Sequence, residues 1–389
     1  MKHYYNKEKI SVRSRFTVML MTFACIPIMV SAQAARPQIK ALIDAVGQTK
    51  QQYAPDTRVE VFQIEVKDKG SQFVITGELA DRAIKTALFE ALSAEAGGGE
   101  LADSVKMLPG EQLLPEAFGI VKISVANLRR QPTMKTELIS QTLLGTVVKI
   151  LKEEDGFYYI QNRDHYLGWI SRSSVIRVDS GTAENWRKGP RVIATAVYGV
   201  ARKERAEDAE ILTDLVPGVA LRKIDQKGKW IRVGLPDGRE GYVKTDAVMD
   251  ESGLQDVQAT GDRLVSVARG YLGIPYLWGG TSTKGLDCSG FVQTVYRMNN
   301  RELPRDANQM VKVGKPVEFG EDYENLRRGD LLFFGPSPER ITHVALYMGK
   351  KLFIHSSGWV HINSLDPEHP LYNEYRYSTI RTARRHLSD

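Results

Sequence analysis

Cysteine is nearly missing from this chain, with two in 389 residues, Cys25 and Cys288. That excludes the disulfide frameworks that staple small secreted domains. Histidine is also sparse, at seven, and no C-x-x-C or H-x-x-x-H pairing occurs. The spacings that mark most zinc sites are therefore missing, and no metal or other cofactor is expected. The apolar run from Phe16 to Val30 has 15 residues and is interrupted by Pro27, short of the roughly 20 that a membrane span needs. No basic stripe interleaves with aromatics, so a nucleic-acid partner is not expected. A composition of 42% hydrophobic and 26% charged residues excludes disordered and fibrous classes.

What is present begins with an address. Lys2, Lys7, Lys9, Arg13 and Arg15 precede the apolar run, which ends in Ser31-Ala32-Gln33-Ala34. A basic region, a short apolar core and small residues at the exit describe a secretory signal peptide over 1–32, cleaved after Ala32 or Ala34. The protein is expected to be exported to the periplasm, the cell envelope or the medium. Lipid attachment at Cys25 is a minor variant, because Thr22-Phe23-Ala24 is a poor lipoprotein signal. Losing the leader lowers the formal charge from +6 to about +2, too little for a long-range field. It also leaves Cys288 as a solitary thiol in an oxidising compartment. An unpaired thiol there is a liability unless its reactivity is used.

A chain of this length is expected to hold several domains. Residues 36–110 read as a small α/β module. Ile39, Leu42, Ile43 and Val46 have helical spacing, Val59 to Ile64 and Gln72 to Gly77 read as strands, and Asp81 to Ser93 as a helix. The module has neither Cys nor His, so a packing or docking role is the default. From Phe118 to Asp250 the sequence repeats with a period of 73 residues: Gly168-Trp169-Ile170 recurs as Gly241-Tyr242-Val243. Short β-type runs broken by turn residues predict two small β-barrels, over 118–180 and 190–250. Residues 251–262 form a polar linker, and 263–389 the domain that carries chemistry.

In that last domain Asp287 is placed to cap a helix whose apolar face is Phe291, Val292, Val295 and Tyr296. Cys288 then occupies the first turn, where free N–H groups and the macrodipole favour a thiolate. Locally this reads equally well as a buried, inert cysteine. The segments Ile341 to Tyr347 and Lys351 to Ser356 form a hairpin with Gly349 at its tip. His343 and His355 lie six residues either side of it, and in a symmetric pairing they stand directly opposite. One imidazole takes a proton from the thiol while the other fixes its tautomer. A Cys/His/His zinc site is the rival arrangement. His361 and His369 share no such register and read as surface residues.

Pro275 to Gly280, Asp287 to Val292, Leu303-Pro304-Arg305, Gly329 to Phe334 and Thr342 to Ala345 together resemble the NlpC-type cell-wall cysteine peptidases. The resemblance implies a multidomain chain: the small α/β N-terminal module, two SH3-like β-barrels and a C-terminal papain-like α+β domain. It implies a triad of Cys288 as nucleophile, His343 as base and His355 as orienting partner. The layout is similar to that of γ-D-glutamyl-L-diamino-acid endopeptidases acting on peptidoglycan stem peptides (L-Ala-γ-D-Glu-diamino acid). By that resemblance Asp287, and Glu137 with Tyr166 in the first SH3-like domain, hold the free amine of the terminal L-Ala. Tyr276, Trp278 and Ser289 line the cleft, with Tyr276 beside the oxyanion. Ala307 departs from the serine of some members, near the expected D-Glu carboxylate contacts. The alternatives are an N-acetylmuramoyl-L-alanine amidase-type enzyme and a non-catalytic cell-wall binding protein.

Overall fold

The computed structural model describes residues 37–320 and 322–387. The expected leader and Cys25 lie outside the described residues.

The first unit opens with the helix Pro37–Tyr53, which buries Leu42 and Ala45. Strands Phe62–Asp68 and Gln72–Leu79 pair antiparallel. The helix Arg82–Glu95 follows, with the Asp81 carboxylate accepting from the Ala83 N–H at its start. A third strand, Glu100–Met107, then runs parallel to Gln72–Leu79. Sequence periodicity misses this strand because only Val105 along it is buried.

Two seven-stranded antiparallel sheets come next. Read from the edge strand Val175–Val178, the first runs Phe118–Val121, Val147–Glu154, Phe157–Gln161, Leu167–Ser171, Val125–Arg129, Leu138–Leu143. Read from Val248–Asp250, the second runs Arg191–Ala194, Ala220–Lys227, Trp230–Gly234, Glu240–Lys244, Gly199–Arg202, Ile211–Leu215. Each strand of one meets its counterpart about 73 residues on, so the sequence repeat is a repeat of strand order. The polar stretch after the second sheet is not featureless: it holds the short helix Glu251–Gln255. The next helix begins at Gly261, where the Thr260 hydroxyl accepts from the Arg263 N–H.

The last unit carries a six-stranded antiparallel sheet. Its order is Lys315–Val317, Ile380–Arg385, Leu331–Phe334, His343–Gly349, Leu352–Ser357, Trp359–Ser364. One face buries Val344, Leu346 and Ile354 against Phe291, Val292 and Val295 of the helix Cys288–Arg297. The other face buries Phe334, Ala345, Tyr347 and Phe353 in a separate cluster. Burial on both faces, about 0.8 kcal/mol per CH2, fixes the sheet rigidly, and the site is built where the interior strand His343–Gly349 begins.

Candidate active site

The helix N-terminus forms as its sequence dictates. The Asp287 carboxylate caps it by accepting from the Gly290 N–H at 2.7 Å. Cys288, the free cysteine among the described residues, is buried in the first turn. Burial, and then the neighbouring Asp287 charge, pushes the thiol up to about 12. Burial and the Asp287 charge thus work against the thiolate that the helix dipole favours. Desolvation and a like charge outweigh the dipole, whose effect is only about 0.3–1 kcal/mol at exposed helix ends.

The histidine pair also departs from its expected register. A bulge between Tyr347 and Gly349 sets Leu346 opposite Ile354, so His355 falls opposite Ala345. The two histidines are diagonal neighbours on one face, and the rings still meet: His343 Nε2 lies 2.8 Å from His355 Nδ1. His361, expected at the surface, extends the chain, because Trp359–Ser364 pairs His361 directly with His355. His355 Nε2 stands 3.0 Å from Asn363 Oδ1 and 3.2 Å from His361 Nε2. The Asn373 amide donates to Asn363 Oδ1 at 3.0 Å, marking that oxygen as acceptor. One proton arrangement serves these contacts: His355 donates from Nε2, His343 donates from Nε2 to His355 Nδ1, and His343 Nδ1 is left as a free base. Burial foremost holds His343 well below its ordinary 6.5 and His355 down to about 3, which favours the neutral form of both.

A cavity of about 350 Å³ joins thiol and base. Cys288, His343, Tyr276, Trp278, Asp287, Ser289, Glu137 and Tyr166 all line it, whereas His355 stands behind His343. Its far wall comes from the first seven-stranded unit. Glu137 accepts from Trp278 Nε1 at 2.8 Å and from Arg130 at 2.5 Å. Gly279 takes φ +76°, and a Cβ on it would lie 2.5 Å from the Leu138 carbonyl oxygen. Glycine lets the loop lie flat against that unit. Gln141 fixes the same junction, its Oε1 accepting from the Thr281 N–H and the Ser282 hydroxyl, each at 3.0 Å.

Sequence reasoning assigned no role to two arginines here. Arg305 is fully buried and donates to Asp287 Oδ2 at 2.5 Å, Ser289 Oγ at 2.9 Å and Ser140 Oγ at 3.0 Å. With Gly279, Gly290 and Ser289 also donating, Asp287 accepts from four groups across five contacts. A carboxylate offers about four lone-pair sites. Glu137, by comparison, accepts from two groups, Trp278 and Arg130. Arg305 sits inside a motif and was legible as a position, though not as the counter-ion of the residue before the nucleophile. Arg58 had no signal at all. It comes from the first unit, donates to Asp306 at 2.7 Å and Asn308 at 2.9 Å, and lines the cavity. Tyr166 donates to the same Asp306 oxygen at 3.0 Å. Ala307 lies on this wall, buried and without a hydroxyl. Among the described residues no group of three or more His, Cys, Asp or Glu has the geometry to hold a metal.

A helix-borne thiol and a hydrogen-bonded imidazole relay opening on one cleft define a cysteine hydrolase. The NlpC/P60 family model matches residues 273–382, and a bacterial dipeptidyl-peptidase SH3 domain model matches 128–175. A protein of Lysinibacillus sphaericus named dipeptidyl-peptidase 6 is 32% identical over 271 residues, 67% of this chain and 96% of its own. A Bacillus cereus protein named γ-D-glutamyl-L-lysine dipeptidyl-peptidase is 28% identical over 238 residues, 58% of this chain and 68% of its own. A solved NlpC/P60 family structure from Bacillus cereus shares the fold at TM-score 0.60 and 23% identity, over 70% of this chain and 100% of that one. The chain belongs to the NlpC/P60 family of cysteine peptidases.

Proposed function

We propose that this protein hydrolyses the amide between γ-D-Glu and the L-diamino acid of peptidoglycan stem peptides that begin with a free L-Ala. The observation that carries the reading is the relay: the one thiol among the described residues lines the same cleft as an imidazole whose Nε2 meets a further histidine. In the reaction, the Cys288 proton passes to His343 Nδ1 as sulfur adds to the γ-carbonyl carbon. The oxyanion is met by the Cys288 N–H and the Tyr276 hydroxyl. His343 then gives its proton to the departing amine, leaving a thioester that water hydrolyses with His343 again as base. His355, held by Asn363, keeps His343 in the required tautomer.

Glu137 holds the substrate's ammonium at the closed end of the cleft, with Tyr166 and the Arg305–Asp287 pair shaping the wall. A buried ammonium needs such a partner. The names of the relatives support this bond as target. The two β-units act as SH3-like domains, the first as the cleft cap. Lys/Arg-led residues before a short apolar stretch support export of the mature enzyme. Mass spectrometry of the products from L-Ala-γ-D-Glu-L-Lys tests the reading. The expected product is the dipeptide L-Ala-γ-D-Glu, and release of free L-Ala alone contradicts it.

A further inference from the structure

Beside the imidazole relay stands a guanidinium that no acid among the described residues answers. Arg376 lies in the short helix Glu374–Thr379. Its Cζ stands 5.6 Å from the centroid of the Phe334 ring and 5.2 Å from that of Tyr375. Phe334 in turn touches the His343 ring at 5.7 Å. The hydrogen bond Arg376 makes is a long one, from Nη2 to Ser357 Oγ at 3.4 Å. Among the described residues no Asp or Glu pairs with it.

The contrast with the cavity on the other side is sharp. Arg58, Arg130 and Arg305 all line that cavity, and each is paired with a carboxylate. Arg376 is absent from its lining and reaches His343 only through the Phe334 ring. Strand Leu352–Ser357 ends beside it, and Trp359, just beyond, is 55% exposed. The Tyr276 N–H donates to the Gly358 carbonyl at 2.8 Å, tying this ground to the catalytic turn. A half-buried cation beside a reactive centre, with protein anions absent, is arranged for an anion brought by the substrate.

We infer that Arg376 binds a carboxylate on the leaving side of the scissile amide and so selects the residue released as the amine. This rests on the hydrolase reading above. Two carboxylates qualify: the α-carboxylate at the end of a tripeptide, and the side-chain carboxylate that diaminopimelate has and lysine lacks. Both present the same planar, bidentate partner to a guanidinium.

Four tripeptides separate these sources: L-Ala-γ-D-Glu followed by lysine or diaminopimelate, each with a free or amidated α-carboxylate. The full-length enzyme should cleave the lysine amide slowest, its kcat/KM roughly ten- to hundredfold below that of the preferred substrate. A large acid-to-amide ratio within the lysine pair assigns the α-carboxylate. A ratio near one with faster diaminopimelate peptides assigns the side chain. Arg376→Gln should bring all four values together, and Arg376→Lys should restore part of the spread. Equal wild-type kcat/KM on all four, or a spread unchanged in Arg376→Gln, overturns the inference. Cleavage of none of them overturns the hydrolase reading itself.

Discussion

At the scale of single residues burial disfavours charge at the site. It raises the Cys288 thiol and lowers the His343 imidazole, which favours proton transfer accompanying attack over a preformed ion pair. The pH profile carries the sign. A base whose proton affinity is lowered stays competent as pH falls, so the acid limb of kcat/KM should lie below the ordinary histidine value of 6.5. A limb at or above that value contradicts the neutral relay. Stability moves the other way. Below 6.5 the unfolded chain takes up protons on these histidines while the folded one does not. Each therefore lowers stability by up to about 1.4 kcal/mol per pH unit until its folded value is reached, about 3 for His355. Urea unfolding between pH 7 and pH 4 reads this directly.

At the scale of elements, register was the feature hardest to foresee. The hairpin and the common face of His343 and His355 were legible from the spacing, whereas the turn falls at Lys350-Lys351 and Gly349 pairs with Leu352 rather than forming the tip. The turn and bulge that together move His355 from opposite His343 to opposite Ala345, a two-residue offset, were not legible, and neither was the third histidine, which a further strand pairing brings in. The same holds for the thiol: helix start and cap were readable at Asp287, while the degree of burial was set by the packed sheet. The turn Trp278-Gly279-Gly280 shows how local chemistry and assembly meet. Gly279→Ala places a Cβ 2.5 Å from the Leu138 carbonyl at φ +76°. That strain, about 1–3 kcal/mol, should raise KM by pushing Trp278 and Glu137 apart. Unchanged KM for this variant contradicts a cleft wall built by that contact.

At the scale of the whole molecule, the cleft belongs to three units at once. The first seven-stranded unit brings Glu137, Tyr166 and Ser140, and the N-terminal α/β unit brings Arg58. Its docking is specific: the Leu167 N–H donates to the Arg58 carbonyl at 2.7 Å, and Gln161 Nε2 to the Val59 carbonyl at 2.9 Å. The sequence offered no hint of this, since a loop arginine far from any motif acquires meaning only when units dock. Arg58→Ala should raise KM about two- to fivefold by loosening Asp306, with little change in Tm. N-acetylating the stem peptide should lower kcat/KM roughly ten- to hundredfold, and Glu137→Gln should erase most of that preference. Equal rates on blocked and free peptide would sink the assignment of Glu137.

The decisive measurement is an acid quench of the enzyme turning over L-Ala-γ-D-Glu-L-Lys, with mass analysis of the intact chain and its peptides. The account predicts an L-Ala-γ-D-Glu acyl group on Cys288, absent from Cys288→Ala, which should also lose turnover. Normal dipeptide release by Cys288→Ala contradicts it.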